Sequence, residues 1–156
     1  MREHEIAARL REAGIELPAP PRPAGLYRPV ICRGGMGFVS GQFPIRHGNC
    51  ARTGRVGAEV SPEEGRECAA LAAANVLAQI RAALGGWERF EGLCRLDGYV
   101  ASAADFLNQP AILDGASEFF VRVLGPTLGA HARTAFHVPR LPLDAPVELA
   151  VTFFAH

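Results

Sequence analysis

Arg133 and Glu148 stand fifteen residues apart in the run from His131 to Phe154, and their types define a chemistry. A guanidinium is a planar fork that grips a carboxylate through two parallel hydrogen bonds. A carboxylate set among apolar residues can take a proton from water and return it. Both residues lie in alternating stretches joined by a Pro-flanked turn, Pro139 to Pro146. The spacing therefore predicts two neighbouring strands that present a buried Arg beside a buried Glu, a pocket for a small organic acid. Arg133 shares its predicted face with Ala135 and His137.

The other candidates carry less. Ser40 sits in no GxSxG elbow and has no Asp/His relay, which argues against a nucleophilic serine. His131 and His137 are six residues apart with no third ligand in view, so no metal is expected. Tyr27 suits either packing or a pocket wall. The four cysteines, Cys32, Cys50, Cys68 and Cys94, form no CxxC pair, and four free thiols in a reducing cytoplasm are the simplest reading. Arg46, Arg52 and Arg55 read as a solvated face.

Composition narrows the classes further. At 156 residues, 49% hydrophobic and 21% charged, the chain fits one globular domain that buries about two-thirds of its unfolded surface. Sixteen basic and sixteen acidic residues cancel, against the basic excess of a nucleic-acid binder. Every basic residue is Arg and none is Lys, which excludes a Schiff-base lysine, lysine-linked pyridoxal phosphate and a P-loop lysine. The N-terminus lacks an apolar leader, and no window suggests a membrane span. A cytoplasmic protein with no membrane partner is expected.

These residues need elements to position them. Glu3 to Ala13 has helical spacing on Ile6, Leu10 and Ala13, ended by Gly14, and a Pro-rich connector follows from Leu17 to Ala24. Residues 1–24 read as an appendage on a domain of residues 25–156. Val30 to Cys32 and Met36 to Gln42 predict a hairpin around Gly34-Gly35, with a loop from Phe43 to Val60. Ser61-Pro62-Glu63-Glu64 is a capping box that opens a helix running to Gly85, with one side covered. Phe90 to Ser102 alternates as a strand. A second long helix starts near Asn108 to Ala111 and ends at Leu124 before Gly125-Pro126, and two strands close the chain. The class is α+β: a mixed sheet, two long helices on one face and an extra N-terminal helix. Val147, Leu149, Val151 and Phe153 point one way and Glu148, Ala150, Thr152 and Phe154 the other. Both faces are too apolar for water, so the second face is expected to meet another subunit.

With these pieces in order, the chain resembles the YjgF/RidA family of enamine/imine deaminases over roughly Leu17 to Phe154. The resemblance is carried by Gly25-Leu26-Tyr27, Ser40-Gly41-Gln42-Phe43-Pro44, Gly54-Arg55-Val56-Gly57, Glu63-Glu64-Gly65 and the helix holding Asn75. Gly98-Tyr99-Val100, Asp105-Phe106, Ala132-Arg133-Thr134-Ala135, Leu141-Pro142 and Pro146-Val147-Glu148-Leu149 continue it. It implies a chorismate-mutase-like homotrimer with sites between subunits. It also implies cofactor-independent hydrolysis of 2-imino or enamine acids to 2-keto acids and ammonia. On that resemblance Arg133 holds the substrate carboxylate and Glu148 orients water. Tyr27, the backbone at Ser40 and Gly41, and the backbone at Ala135 line the pocket. Many deaminases carry a cysteine where this chain has Ala135, and Asp114 to Ser117 departs from their pattern. The alternative is a non-catalytic trimer that binds or senses a small carboxylate metabolite.

Overall fold

A computed structural model describes residues 2–156 of the chain. The Ser61 hydroxyl accepts from the Glu64 amide at 3.1 Å, and the Glu64 carboxylate accepts from the Ser61 amide at 3.1 Å. With Pro62 in the first turn, this starts helix α2, Pro62–Leu84, which Gly85 ends in the left-handed conformation. The sheet beneath it runs β1-β2-β7-β5-β6. Its strands are β1 (Val30–Arg33), β2 (Met36–Gln42), β5 (Phe90–Ala101), β6 (Ala132–Val138) and β7 (Val147–Ala155); β3 (Ile45–Arg46) and β4 (Asn49–Cys50) form a separate small hairpin. Helix α3, Gln109–Leu128, lies beside α2 on the same face, and helix α1, Arg2–Ala13, adds Ile6 to the shared core.

The alternation read on the last strand holds. Val147, Leu149, Val151 and Phe153 are buried under the helices, and Phe154 is exposed on the other face. Two glycines let the layers close. A β-carbon on Gly37 would sit 2.0 Å from the Phe153 ring, and one on Gly98 would sit 2.3 Å from Leu113 of α3. The open face carries Phe38, Phe136 and Phe154, all exposed, and Tyr99 stacked on Phe136 at 5.0 Å.

The structure corrects four local expectations. Helix α2 is buried on nearly every side from Ala72 to Ile80, not on one. Its outward polar positions are covered by chain that reads as loop. Gln79 donates to the Pro21 carbonyl at 2.6 Å, and Asn75 donates to the carbonyls of Phe43 and Ile45 at 2.9 and 3.1 Å. By length and composition α2 does reach what a membrane crossing needs, but 67% of that window is buried inside the fold, as in a core helix. Helix α3 continues past Gly125, whose φ of 86° kinks it, and Pro126 opens a further turn that runs to Leu128. Finally, β6 and β7 do not pair. β5 lies between them, parallel to β6 and antiparallel to β7.

Candidate functional site

The sheet order decides what Arg133 and Glu148 can share. On β5, Leu96 stands opposite Arg133 of β6, and Tyr99 stands opposite Glu148 of β7, with no irregularity between them. The two levels differ by three residues, and successive residues alternate faces, so the two side chains emerge on opposite sides of the sheet. They are also two strand spacings apart, roughly 10 Å across and about 10 Å along. Within one chain the predicted Arg–Glu pocket is therefore absent. The expectation of adjacent strands failed because the segment between them crosses over β5.

Arg133 lies on the helix side of edge strand β6. Its Nη1 donates to Asp114 Oδ1 at 2.8 Å and to Ser117 Oγ at 3.1 Å, and its Nη2 donates to the Pro110 carbonyl at 3.2 Å. All three partners belong to α3. A guanidinium has five N–H donors, so three bonds leave Nε–H and one Nη2–H for a further acceptor. Ser117 is itself fixed. His131 Nδ1 lies 2.6 Å from the Gly129 carbonyl, which can only accept. The other ring nitrogen, 2.9 Å from Ser117 Oγ, then accepts the serine proton. That leaves the serine oxygen free to accept from Arg133. None of these partners shows in local spacing, although Asp114 to Ser117 is the segment that departs from the deaminase pattern.

Of the other predicted residues, Gly41 lies against Glu148 at the far end of β2, Ser40 precedes it there, and Tyr27 shares a cavity with Gly41. Tyr27, Gly41, Gln42, Phe43 and Leu143 line one small cavity of about 30 Å³. A β-carbon on Gly41 would lie 2.5 Å from Glu148 Oε2, so the carboxylate rests directly on the glycine backbone. Ser40 fastens the neighbouring segment: its hydroxyl donates to the Arg28 carbonyl at 2.9 Å and its amide to the Pro29 carbonyl at 2.8 Å. The hydroxyl is thus engaged away from any reaction. Glu148 is half-buried, and burial raises its pKa above the ordinary glutamate value. Among the described residues no hydrogen bond or ion pair reaches its carboxylate. Ala135 remains on the Arg133 side, two residues along β6 on the same face.

The candidate residues thus form two half-sites. One holds Tyr27, Ser40, Gly41 and Glu148; the other holds Arg133 and Ala135. Among the described residues, no three His, Cys, Asp or Glu side chains cluster as a metal site.

Comparisons with known proteins agree with this architecture. The family model described as "YjgF/chorismate mutase-like, putative endoribonuclease" matches residues 7–156. Protein TCP17 of Trypanosoma cruzi is 38% identical over 92% of this chain and 90% of its own length. The crystal structure of Atu1372 from Agrobacterium tumefaciens, a protein of unknown function, superposes with a TM-score of 0.91 at 36% identity, covering 99% of this chain and 95% of that one. A Shewanella oneidensis structure also reaches 0.91, at 31% identity over 96% of this chain and 98% of its own.

Proposed function

This chain belongs to the YjgF/RidA family, and from that premise we propose that it hydrolyses reactive 2-imino or enamine acids to 2-keto acids and ammonia. The observation that carries the proposal is Glu148: a half-buried carboxylate, pushed toward protonation by burial, without a partner among the described residues and resting on the bare backbone of Gly41. A base with a raised pKa is better matched to moving a proton near neutrality than an exposed glutamate. The half-sites are complementary in chemistry: an arginine edge for the carboxylate in one, a proton acceptor for water in the other.

In this reading a homotrimer joins them. Phe38, Phe136 and Phe154 on the open face supply the apolar contact between copies. The β6 edge of one copy brings Arg133 and Ala135 to the Tyr27, Gly41 and Glu148 of the next. The iminium carbon is already electrophilic. Glu148 takes one proton as the water oxygen bonds to that carbon, giving a carbinolamine. Glu148 then passes that proton to the carbinolamine nitrogen, the C–N bond breaks with its electron pair leaving on ammonia, and the hydroxyl proton goes to the freed Glu148 carboxylate as the carbonyl forms. No cofactor enters. Holding water and substrate in place can supply about 7 kcal/mol or more of the barrier.

The test uses imino acids freshly generated by an amino-acid oxidase, with keto-acid release followed in the presence of native protein, Arg133→Ala and Glu148→Gln. Acceleration by the native protein that both variants lose, with the assembly intact, supports the reading. Equal rates for all three remove it. The bond from Arg133 to Asp114 favours a second reading, a non-catalytic trimeric binder of a small carboxylate metabolite. That reading prevails if nothing is turned over while Glu148→Gln keeps full affinity for pyruvate.

A further inference from the structure

Glu148 has a neighbour across the ladder that the hydrolysis steps leave idle. On β5, Tyr99 stands directly opposite Glu148 of β7. The two side chains therefore rise side by side on the open face, with β-carbons about 5 Å apart. On its other side Tyr99 stands opposite Phe136 of β6. The two rings are stacked, with 5.0 Å between centroids and 13° between planes. That separation matches the roughly 4.8 Å between neighbouring strands, so both rings stand upright with their planes facing across the strands. Phe136 covers one face of Tyr99, and the other face looks over β7.

The space over β7 suits a small flat ligand. A β-carbon on Gly41 would lie 2.5 Å from Glu148 Oε2, so the carboxylate leans over β2, away from Tyr99. The next open-face residue of β7 is Ala150, a single methyl group, and the residue opposite it, Asp97, accepts from Arg95 Nε at 2.9 Å. A slot results, floored by Ala150 and the Glu148 stem, with an aromatic face on one side and a carboxylate on the other. The Tyr99 hydroxyl has no hydrogen-bond partner among the described residues, so stacking and not the hydroxyl orients the ring.

We propose that Tyr99 is a specificity residue of this site: its outer face binds the protonated imine and so selects the cationic iminium over the neutral keto acid. The inference rests on the imine-hydrolysis reading and names the form of substrate that the Glu148 half-site takes. The ligand fits the wall in shape and charge. A protonated 2-imine is flat about its C=N bond and carries a positive charge in that plane. An aromatic face is electron-rich and attracts such a cation within about 6 Å of the ring centroid. The spacing fits as well. From β5 across β7 to β2 is about 9.6 Å, two strand spacings. That holds, in line, one stacking contact of about 3.5 Å, one attack distance of about 3.2 Å and one hydrogen bond of about 2.8 Å. An imine stacked on Tyr99 thus turns its free face to a water held by Glu148. Hydrolysis then removes the charge, and the ring loses its hold on the product as it forms.

The experiment titrates native protein, Tyr99→Leu, Tyr99→Phe and Glu148→Gln by calorimetry with two ligands of nearly the same shape. L-alanine carries an ammonium where the imine has its nitrogen, and isobutyrate carries a methyl group there. The oxidase-coupled assay gives KM for the imino acid, and thermal unfolding is followed for each variant. Native protein should prefer alanine. Tyr99→Leu should lose roughly 2- to 30-fold of that preference, the range a ring–cation contact supports, with isobutyrate binding nearly unchanged and KM raised in step. Tyr99→Phe, which keeps the ring, should restore the preference. Glu148→Gln should keep part of it, which separates the ring from the carboxylate and serves as the test if Tyr99→Leu does not fold. The role of Tyr99 is overturned by an unchanged preference in Tyr99→Leu or an equal loss of both ligands. A loss in Tyr99→Phe as large as in Tyr99→Leu, or no preference left in Glu148→Gln, overturns it too. In each of those cases the imine-hydrolysis reading stands, provided the native protein accelerates keto-acid release. If it accelerates nothing, that reading fails and this inference with it.

Discussion

Asp114→Asn separates two meanings of the bond that holds Arg133. If Arg133 is a carboxylate clamp, Asp114 both orients it and opposes the ligand, because a negative charge already sits on one side of the guanidinium. Asparagine keeps an Oδ1 acceptor for the 2.8 Å bond and removes only the charge. A carboxylate seated on the Nε side edge lies across the guanidinium from Asp114, about 6 Å away. Two unit charges at that distance repel by about 0.7 kcal/mol at the dielectric constant of water and about 2.8 kcal/mol at an effective value of 20. Arg133 is 23% exposed and Asp114 48% exposed, so the lower end governs. At about 1.4 kcal/mol per tenfold, the variant should bind pyruvate roughly 3- to 10-fold more tightly. The gain should grow at low ionic strength, where a Debye length of about 30 Å at 0.01 M replaces about 8 Å at physiological salt. The stability cost should stay below about 1 kcal/mol, the usual worth of an exposed pair. Calorimetric titration of native protein, Asp114→Asn and Arg133→Ala with pyruvate at two salt concentrations decides the matter. If Asp114→Asn weakens binding as Arg133→Ala does, the aspartate's charge is needed to hold the ligand site and the electrostatic reasoning is wrong.

Three further outcomes follow from the same geometry. Burial raises the Glu148 pKa, so the folded chain binds more protons than the unfolded one between the ordinary glutamate value and the raised one. Stability therefore falls as pH rises through that window, and Glu148→Gln should melt higher than the native protein at pH 7 and level with it in acid; melting curves that show the reverse order remove the idea of an unpaired carboxylate. Gly41→Ala places a methyl group 2.5 Å from the flexible end of Glu148, so keto-acid release should collapse while the melting temperature moves little. A large loss of stability there would mean that the site is rigid rather than mobile. Phe38→Glu with Phe154→Glu puts charge on the open sheet face, where the proposed trimer would join, and light scattering should report a lower mass than for the native protein; an unchanged mass would remove that face as the contact between copies.

How far the fold could be read follows from which interactions are local. The capping box at Ser61, the left-handed stop at Gly85 and the alternation from Val147 to Phe154 each rest on neighbours within four residues, and each stands as expected. The covering of α2 could not be read so easily. Asn75 and Gln79 are polar side chains in a helix, and their partners are carbonyls of Phe43, Ile45 and Pro21, thirty or more residues away. Polar residues that satisfy distant backbone look the same in sequence as polar residues that face water. The Asp114 and Ser117 contacts to Arg133 were hidden for the same reason.

The mistaken pairing of β6 with β7 was avoidable, and its correction changes the chemistry. A strand, a long helix and a strand in sequence, here β5, α3 and β6, form a crossover unit whose strands run parallel and usually lie side by side. That rule competes directly with a hairpin between β6 and β7, and the segment from Pro139 to Pro146 has no two-residue turn that would favour the hairpin. Choosing the crossover puts β7 on the other side of β5. The parity along β5 then forces Arg133 and Glu148 onto opposite faces. From that point a single chain cannot bring a carboxylate held by Arg133 to a water held by Glu148. Hydrolysis by these two residues requires a second copy of the chain, so a monomeric form that retained full turnover would rule out this pair as the catalytic centre.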